Sequence, residues 1–310
     1  MAAMIIRFQR KIAVNPFVRS YVFGMTLEQL RIFVAVAERE HVTRASKALN
    51  LTQSAVSATV STLEDRHGVR LFHRVGRGIA LTETGRAFLA EARGVLARAA
   101  EAQRMLDDAA GLRRGRLSLV ASQTIASYWL PPVLARFATR YPGISLDLAV
   151  GNSRQAADRV RDGSADLGFV EAPLDDPALV RWRIGEDRLA LIGINPPRDP
   201  DASVLRTLPW LLREEGSGTR AALGAALSDY GVDLDELAVV LTLPSNEALL
   251  SAVVGGAGVS VLSRLVADPL ITAGTIRASD FPIAPRPFFG LRHKERYRSK
   301  AADALLDLMD

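Results

Sequence analysis

Apolar positions recur at helical spacing through the first third of the chain. From Thr26, "TLEQLRIFVAVAERE" places Leu27, Leu30, Phe33, Val34 and Ala37 on one helical face. "TRASKALN" follows as a short helix, with Thr43 as its N-cap and Ala45, Ala48 and Leu49 turned inward. Asn50 and Leu51 make a tight turn. Thr52 then caps a third helix that runs to about Arg66 and ends at Gly68. "VRLFHRVGRGIALTETG" reads as two short strands around a turn at Gly76–Gly78. The third helix has an odd composition. Val56, Val60 and Leu63 keep helical spacing, yet Ser54, Ser57, Thr59, Ser61 and Thr62 crowd the same stretch, and hydroxyl residues favour caps and turns over helix interiors.

Next comes a longer helix, over 84–110. Phe88, Ala92, Val95, Ala99, Ala102 and Leu106 are spaced as a heptad seam. Two readings fit: a helix lying on its own domain, or a seam that pairs with a second copy. The second is favoured, since little nearby sequence could cover it.

Near Gly111–Gly115 the pattern changes. "RLSLVA", "ISLDLAV" and "ADLGFV" read as strands separated by helices, and a second round follows with "RLALIGI", "PWLLRE", "LAVVLTL" and "GVSVLS". Strands alternating with helices predict a parallel α/β sheet, here in two subdomains of similar layout. The chain ends in an amphipathic helix.

Composition narrows the function. The chain has 310 residues, 48% hydrophobic and 24% charged, and no cysteine. Disulfides, thiolate metal sites and thiol nucleophiles are excluded, and a reducing cytoplasm fits. No apolar run approaches a membrane span, so no membrane partner is expected. Residues 1–24 carry a net +4, residues 25–110 a net +2 and residues 111–310 a net −1. Residues 43–77 hold six basic and two acidic residues, so positive charge gathers around the hydroxyl-rich helix, as a phosphate backbone would require. Residues 1–24 look superficially like a leader, but Arg7, Arg10 and Lys11 break its apolar core. The segment is expected to be a poorly packed or non-native extension ahead of a start at Met25.

A helix, a tight turn and a second helix, preceded by one helix and followed by a basic hairpin, make a winged helix-turn-helix. Its second helix enters the major groove, so exposed residues there must be small or able to bond base edges. With Val56, Val60 and Leu63 inward, Gln53, Ser54, Ser57, Ala58 and Ser61 face outward. Thr43 and Thr52 lie at the helix starts, and Arg74 and Arg77 on the hairpin can reach phosphates or the minor groove. These nine residues are the candidate DNA contacts. The competing reading is a hydroxyl-rich surface helix in an ordinary helical domain.

"LEQLRIFVAVAEREHVTRASKALNLTQSAVSATVSTLEDRHGVRLFHRVGRGIALTETG" closely resembles the DNA-binding domain of LysR-type transcriptional regulators. The match is dense over residues 25–85 and extends to about residue 310. Ala58 departs from it, since many relatives carry arginine there. The resemblance implies an α/β protein with an N-terminal winged helix-turn-helix over 25–83 and a long dimerisation linker helix over 84–110. It also implies a C-terminal effector domain over 116–310, with two subdomains like type II periplasmic binding proteins. Subdomain I is expected at 116–187 and 283–310, and subdomain II at 188–282. The resemblance further implies dimers pairing into homotetramers, a double-stranded operator, and DNA bending that a small-molecule effector alters.

Two segments repeat one design of strand, polar loop and helix start. "VASQTIAS" offers Ser122, Gln123 and Thr124, and "LLREEGSGTRAAL" offers Ser217, Gly218 and Thr219. Free backbone N–H groups there would favour an anion. Asn152 and Ser153 sit at another strand end. The plain alternative is that these residues only cap helices. "REEGSGTR", "ASQTIASYWLPP" and "ADLGFVEA" resemble the sulfur-assimilation and carbon-fixation branch of the family. That resemblance implies a small oxyanion or a phosphorylated metabolite. Glu171 complicates it, for it would either repel an anion, bind an amino-bearing ligand, or pair with a nearby arginine.

Other classes have weaker support. "GSGTRA" fits a loose dinucleotide fingerprint, with Asp233 and Asp235 downstream. The four histidines, His41, His67, His73 and His293, show no ligand spacing, and no nucleophile elbow or paired carboxylates appear. No enzyme activity, cofactor or metal is expected. A transport-type solute-binding protein would fit the body but has no use for a DNA-reading helix.

Overall fold

The computed structural model describes residues 24–76, 78–109 and 114–309. The chain divides into two compact units, one reaching Leu96 and one starting at Ala97. Of the expected N-terminal extension, residues 1–23 lie outside the described residues, as does Arg77.

The first unit begins with α1 (Leu27–Arg39), α2 (Val42–Leu49) and α3 (Gln53–His67). The hairpin β1 (Phe72–Val75) and β2 (Gly78–Leu81) follows, and then α4 (Glu83–Ala109), which runs on into the second unit. A capping box starts α1: Thr26 Oγ1 accepts from Gln29 N at 3.2 Å, and Gln29 Oε1 accepts from Thr26 N at 2.9 Å. The helix is buried on two sides, not one. Leu30, Phe33 and Ala37 pack with Leu63, Leu71, Leu81 and Ala92. Ile32, Ala35 and Val36 pack with Ala45 and Val56. Leu27, expected inside, is half exposed because the first turn precedes the packed region.

Two details of α2 correct the sequence reading. The helix starts two residues early, with extended His41 at the N-cap and no side-chain cap. Thr43 therefore lies within the first turn and its hydroxyl is free to bond elsewhere. Ala48 is exposed, and Ser46 takes the inward place, its hydroxyl donating to Thr43 O at 3.0 Å. Asn50 makes the turn in the left-handed region, φ 55°. Thr52 Oγ1 accepts from Ala55 N, and left-handed Gly68 ends α3.

The α4 seam also needs correction. The Phe88 ring stands 4.8 Å from that of Phe33, and Ala92 is buried in the same core. Those two positions serve their own unit, since helical spacing cannot say which neighbour fills a seam. Val95, Ala102, Met105 and Leu106 are exposed, with Leu106 at 68%, and Ala99 is half-buried.

The second unit continues with β3 (Gly115–Ser122), a π-helical turn over Ile125–Trp129, α5 (Pro131–Arg140), β4 (Ile144–Gly151), α6 (Ser153–Asp162), β5 (Leu167–Val170), β6 (Leu179–Asp187) and β7 (Leu189–Gly193). It proceeds through α7 (Ala202–Thr207), β8 (Trp210–Arg213), α8 (Gly218–Ser228), β9 (Val239–Leu243), α9 (Asn246–Val254), β10 (Ser260–Ser263) and α10 (Arg264–Thr272). It closes with β11 (Arg277–Ala278), β12 (Arg286–His293) and α11 (Lys300–Leu306). One sheet has the order β4-β3-β5-β12-β6. Its β3, β4 and β5 are parallel, while β12 runs antiparallel to β5 and β6. A second layer holds β10-β7-β11, antiparallel throughout, and the parallel pair β8-β9, joined by a bridge from Trp210 to Val259. The sheets are thus not all parallel as expected: β6, β11 and β12 enter from segments that the sequence pattern leaves unread, and β10, itself an expected strand, runs antiparallel to β7.

Leu117, Leu119, Phe137, Phe169 and Phe288 form the core on one face of the five-stranded sheet, and Val120, Val160, Val170 and Leu291 on the other. The second layer packs around Trp210, Leu191 and Leu227, and around Ile192, Leu249 and Leu262. The chain crosses between the layers twice, from β6 into β7 and from β11 into β12. Among the described residues no helix is long and apolar enough to cross a membrane.

Candidate functional site

Val56 and Leu63 are buried and Val60 half-buried, which fixes the rotation of α3. Gln53, Ser54, Ser57, Ala58 and Ser61 are then all exposed. The hydroxyls sort into two groups. Thr59 Oγ1 donates to Ala55 O at 2.9 Å and Thr62 Oγ1 to Ala58 O at 2.8 Å, so these two bond back to their own helix. Thr52 caps α3 and shares a hydrogen bond with Ser54 at 3.1 Å. Ser61 donates to Asp65 at 3.0 Å, which places an acid beside it and disfavours a phosphate there. Ser57 has the open position.

A groove of about 540 Å³ runs between the helices and the hairpin, lined among others by His41, Thr43, Gln53, Ser57 and Arg74. Thr43 Oγ1 donates to Gln53 Oε1 at 3.0 Å, so the residue expected to cap α2 instead braces the first residue of α3. The hairpin is fixed to α3 by Glu64. That buried carboxylate accepts from Leu71 N at 2.7 Å, Phe72 N at 3.1 Å and Arg70 Nη1 at 2.9 Å. Exposed Arg74, on that hairpin, lines the same groove as Ser57. Glu64 announces itself in the sequence only as a polar residue beside the inward Leu63.

In the second unit eight of the nine effector candidates are linked, but as a closed cluster, while Ser122 is buried with its hydroxyl unpartnered. Gln123 Nε2 donates to Glu247 at 2.7 Å, and Gln123 Oε1 accepts from Asn246 N at 2.8 Å. Thr124 Oγ1 accepts from Asn246 Nδ2 at 3.1 Å. Asn152 donates to Glu214 Oε1 and to Glu215 O, each at 3.3 Å. Each of these bonds joins the β3–β6 layer to the β8–α9 region. The expected free N–H groups are mostly engaged. Asn152 Oδ1 accepts from Gln155 N, Ser217 Oγ accepts from Thr219 N, and Thr124 N donates to Glu171 Oε1 at 3.1 Å.

Glu171 settles into the third of its alternatives. Its Oε2 accepts from Arg286 Nη1 at 2.7 Å, with both side chains under 5% exposed. Arg286 Nη1 also donates to Thr219 Oγ1 at 3.1 Å, and Nη2 pairs with buried Asp187, whose Oδ1 accepts from Ser263 at 2.8 Å. Ser153 Oγ accepts from Glu171 N at 3.2 Å. Gly218 is required here, since a Cβ on it would lie 2.7 Å from Glu171 Cβ. Asp187 and Arg286 sit where the chain crosses between layers, so the cluster spans both crossings. The sequence reading missed Arg286, Asp187, Asn246 and Glu247. An arginine between prolines in "PIAPRPFFG" was the one available signal.

Residues 27–86 match the family model of bacterial regulatory helix-turn-helix proteins, lysR family, and residues 110–310 match the LysR substrate binding domain. The chain is 34% identical over 294 residues to the HTH-type transcriptional regulator YeiE of Escherichia coli strain K12, covering 92% of this chain and 97% of that one. Among solved structures it is similar to CbnR, a LysR family transcriptional regulator, with a TM-score of 0.66 at 22% identity over 92% of this chain and 98% of that one, a likeness of fold. The regulatory domain of Synechocystis PCC6803 CcmR, in complex with 2-PG, is 29% identical with a TM-score of 0.56, over 63% of this chain and 96% of that one.

Proposed function

Because the chain belongs to the LysR-type family of transcriptional regulators, we propose that its α3 lies in the major groove of an operator and that Gln53 and Ser57 face base edges there. The protein is a regulator with an effector-binding domain, not an enzyme. The observation that carries the proposed contact face is the rotation of α3. Its apolar residues bind the unit's own core, and its small polar residues open onto a groove that also receives Arg74. Amides and hydroxyls of this length reach base edges without holding the helix off the groove floor. Ala58 offers only a methyl, suited to a thymine. Arg74 supplies phosphate or minor-groove contact. A gel-shift assay with the DNA upstream of the chain's own gene tests this, with retardation that fades as salt rises.

The effector is proposed to be a small anion, a sulfur oxyanion or a phosphorylated metabolite, held at the crossing cluster of Ser122, Thr124 and Arg286. The CcmR complex with 2-PG supports that class. Buried Arg286 supplies the cation. Effector binding shifts the balance between arrangements of the two α/β layers, and assembled copies pass that shift to the DNA as a changed bend. Exposed Val95, Ala102, Met105 and Leu106 on α4 are the proposed pairing surface for dimers that join into tetramers. The cytoplasm is the proposed location, where the operator is. A thermal-shift screen with sulfite, sulfate, thiosulfate and sugar phosphates tests the ligand class, and no stabilisation by any of them at saturation rejects it.

A further inference from the structure

Two strand–loop–helix junctions, far apart in sequence, converge on a single carboxylate. Glu171 Oε1 takes the backbone N–H of Thr124, at the end of the first junction. Its Oε2 takes Arg286 Nη1 at 2.7 Å and lies beside Gly218, the first residue of α8 in the second junction. A backbone donor, a buried guanidinium and a glycine cradle are what a small oxyanion needs, and here the chain's own side chain uses all three.

We propose that Glu171 is a tethered anion occupying the effector's place, so that an anionic effector binds by competing with it. The inference rests on the anion reading of the crossing cluster given above. Charge and unused donors argue for it. Arg286 already has a full counter-charge in Asp187, and both are almost completely buried. Glu171 is a second buried carboxylate on the same guanidinium, leaving the group with one negative charge in excess. A neutral Arg286–Asp187 pair remains when Glu171 leaves, so its departure strands no lone charge. Arg286 Nε and Ser122 Oγ are buried with no partner. Glu171 therefore does not exhaust the hydrogen bonding that the cluster offers. An oxyanion with three or four oxygens fills more of it than a carboxylate with two.

Competition also supplies a route to the rest of the molecule. Glu171 N donates to Ser153 Oγ at the start of α6, and Gly218 at the start of α8 packs on Glu171 Cβ. When an effector expels the carboxylate, its bonds to Thr124 N and Arg286 Nη1 are lost, while Glu171 N and Cβ stay where the backbone holds them. The cross-layer bonds nearby, from Gln123, Thr124 and Asn152, are polar and able to exchange for ligand or water. The empty protein is held in one arrangement by its own acid, and the ligand releases it.

Isothermal titration of full-length wild type, Glu171→Ala and Glu171→Gln with inorganic sulfate and inorganic phosphate tests the proposal. The alanine variant opens the space, and the glutamine variant keeps the shape without the charge, so one folded variant is enough. Both variants are expected to bind the preferred anion about tenfold tighter than wild type, as removal of a buried like charge predicts. Their thermal midpoints should also rise more on adding it. If wild type binds and the folded variants bind equally or more weakly, the competition is wrong and the anion reading stands. If neither wild type nor variants bind either anion, the anion reading fails and the competition falls with it.

Discussion

The two units treat polar side chains in opposite ways. On α3, Ser57 and Gln53 are exposed, and of the two only Gln53 is braced, by Thr43. At the layer crossing, Ser122, Thr124, Ser153, Ser217 and Thr219 are each under 5% exposed, and the hydroxyls of all but Ser122 are hydrogen-bonded to a neighbouring residue. A surface meant for DNA can leave its hydroxyls to water, since both water and base edges satisfy them. Buried polar groups, as at the proposed effector site, are costly when left unsatisfied. Glu171 answers part of that demand, accepting from Thr124 N and Arg286 Nη1, while Ser122 Oγ and Arg286 Nε stay unpaired.

The largest effect that this contrast predicts is at Arg286. Arg286→Met removes the cation from two buried carboxylates and should cost the second unit about 3–5 kcal/mol, read as a lower urea midpoint. Ser57→Ala, by contrast, should change stability by less than about 0.5 kcal/mol. Equal losses for the two would erase the distinction. The next effect probes an exception, since the first unit has one buried carboxylate of its own. Glu64→Ala leaves the N–H groups of Leu71 and Phe72 without their acceptor and should destabilise the first unit by about 2 kcal/mol, with the hairpin signals shifting first in an NMR spectrum. A smaller change is expected for Leu106→Glu, which should weaken self-association in sedimentation by about 1–2 kcal/mol while leaving the fold intact. The smallest is Arg74→Ala. It should lower operator affinity only a few-fold and reduce the slope of log K against log salt by about 0.9, the mark of one phosphate contact.

The same contrast explains what could be read from sequence. The face of α3 was legible because Val56, Val60 and Leu63 set a local period and Thr52 and Gly68 mark its ends. The start of α2 is hidden in the sequence because His41 gives no side-chain cap while a threonine stands two residues on. Phe88 and Ala92 look like seam positions in the sequence because heptad spacing is the same for a core and for a dimer seam. Strands β6 and β12 escaped because charged residues alternate along "LVRWRIGED" and because Pro287 interrupts the pattern of "RPFFGLRH". The candidate effector residues were legible as polar loops, yet their meaning depended on Arg286, whose partners Glu171 and Asp187 lie 115 and 99 residues away. No local signal encodes such a pairing.

The central claim is that the open hydroxyl face of α3 reads DNA. It is tested most directly by measuring the affinity of wild type and Ser57→Glu for the gene's own upstream duplex at low salt. The account predicts that the glutamate variant keeps the wild-type circular dichroism spectrum and loses retardation of the duplex. Unchanged affinity in a folded variant would mean that α3 presents a different face to DNA.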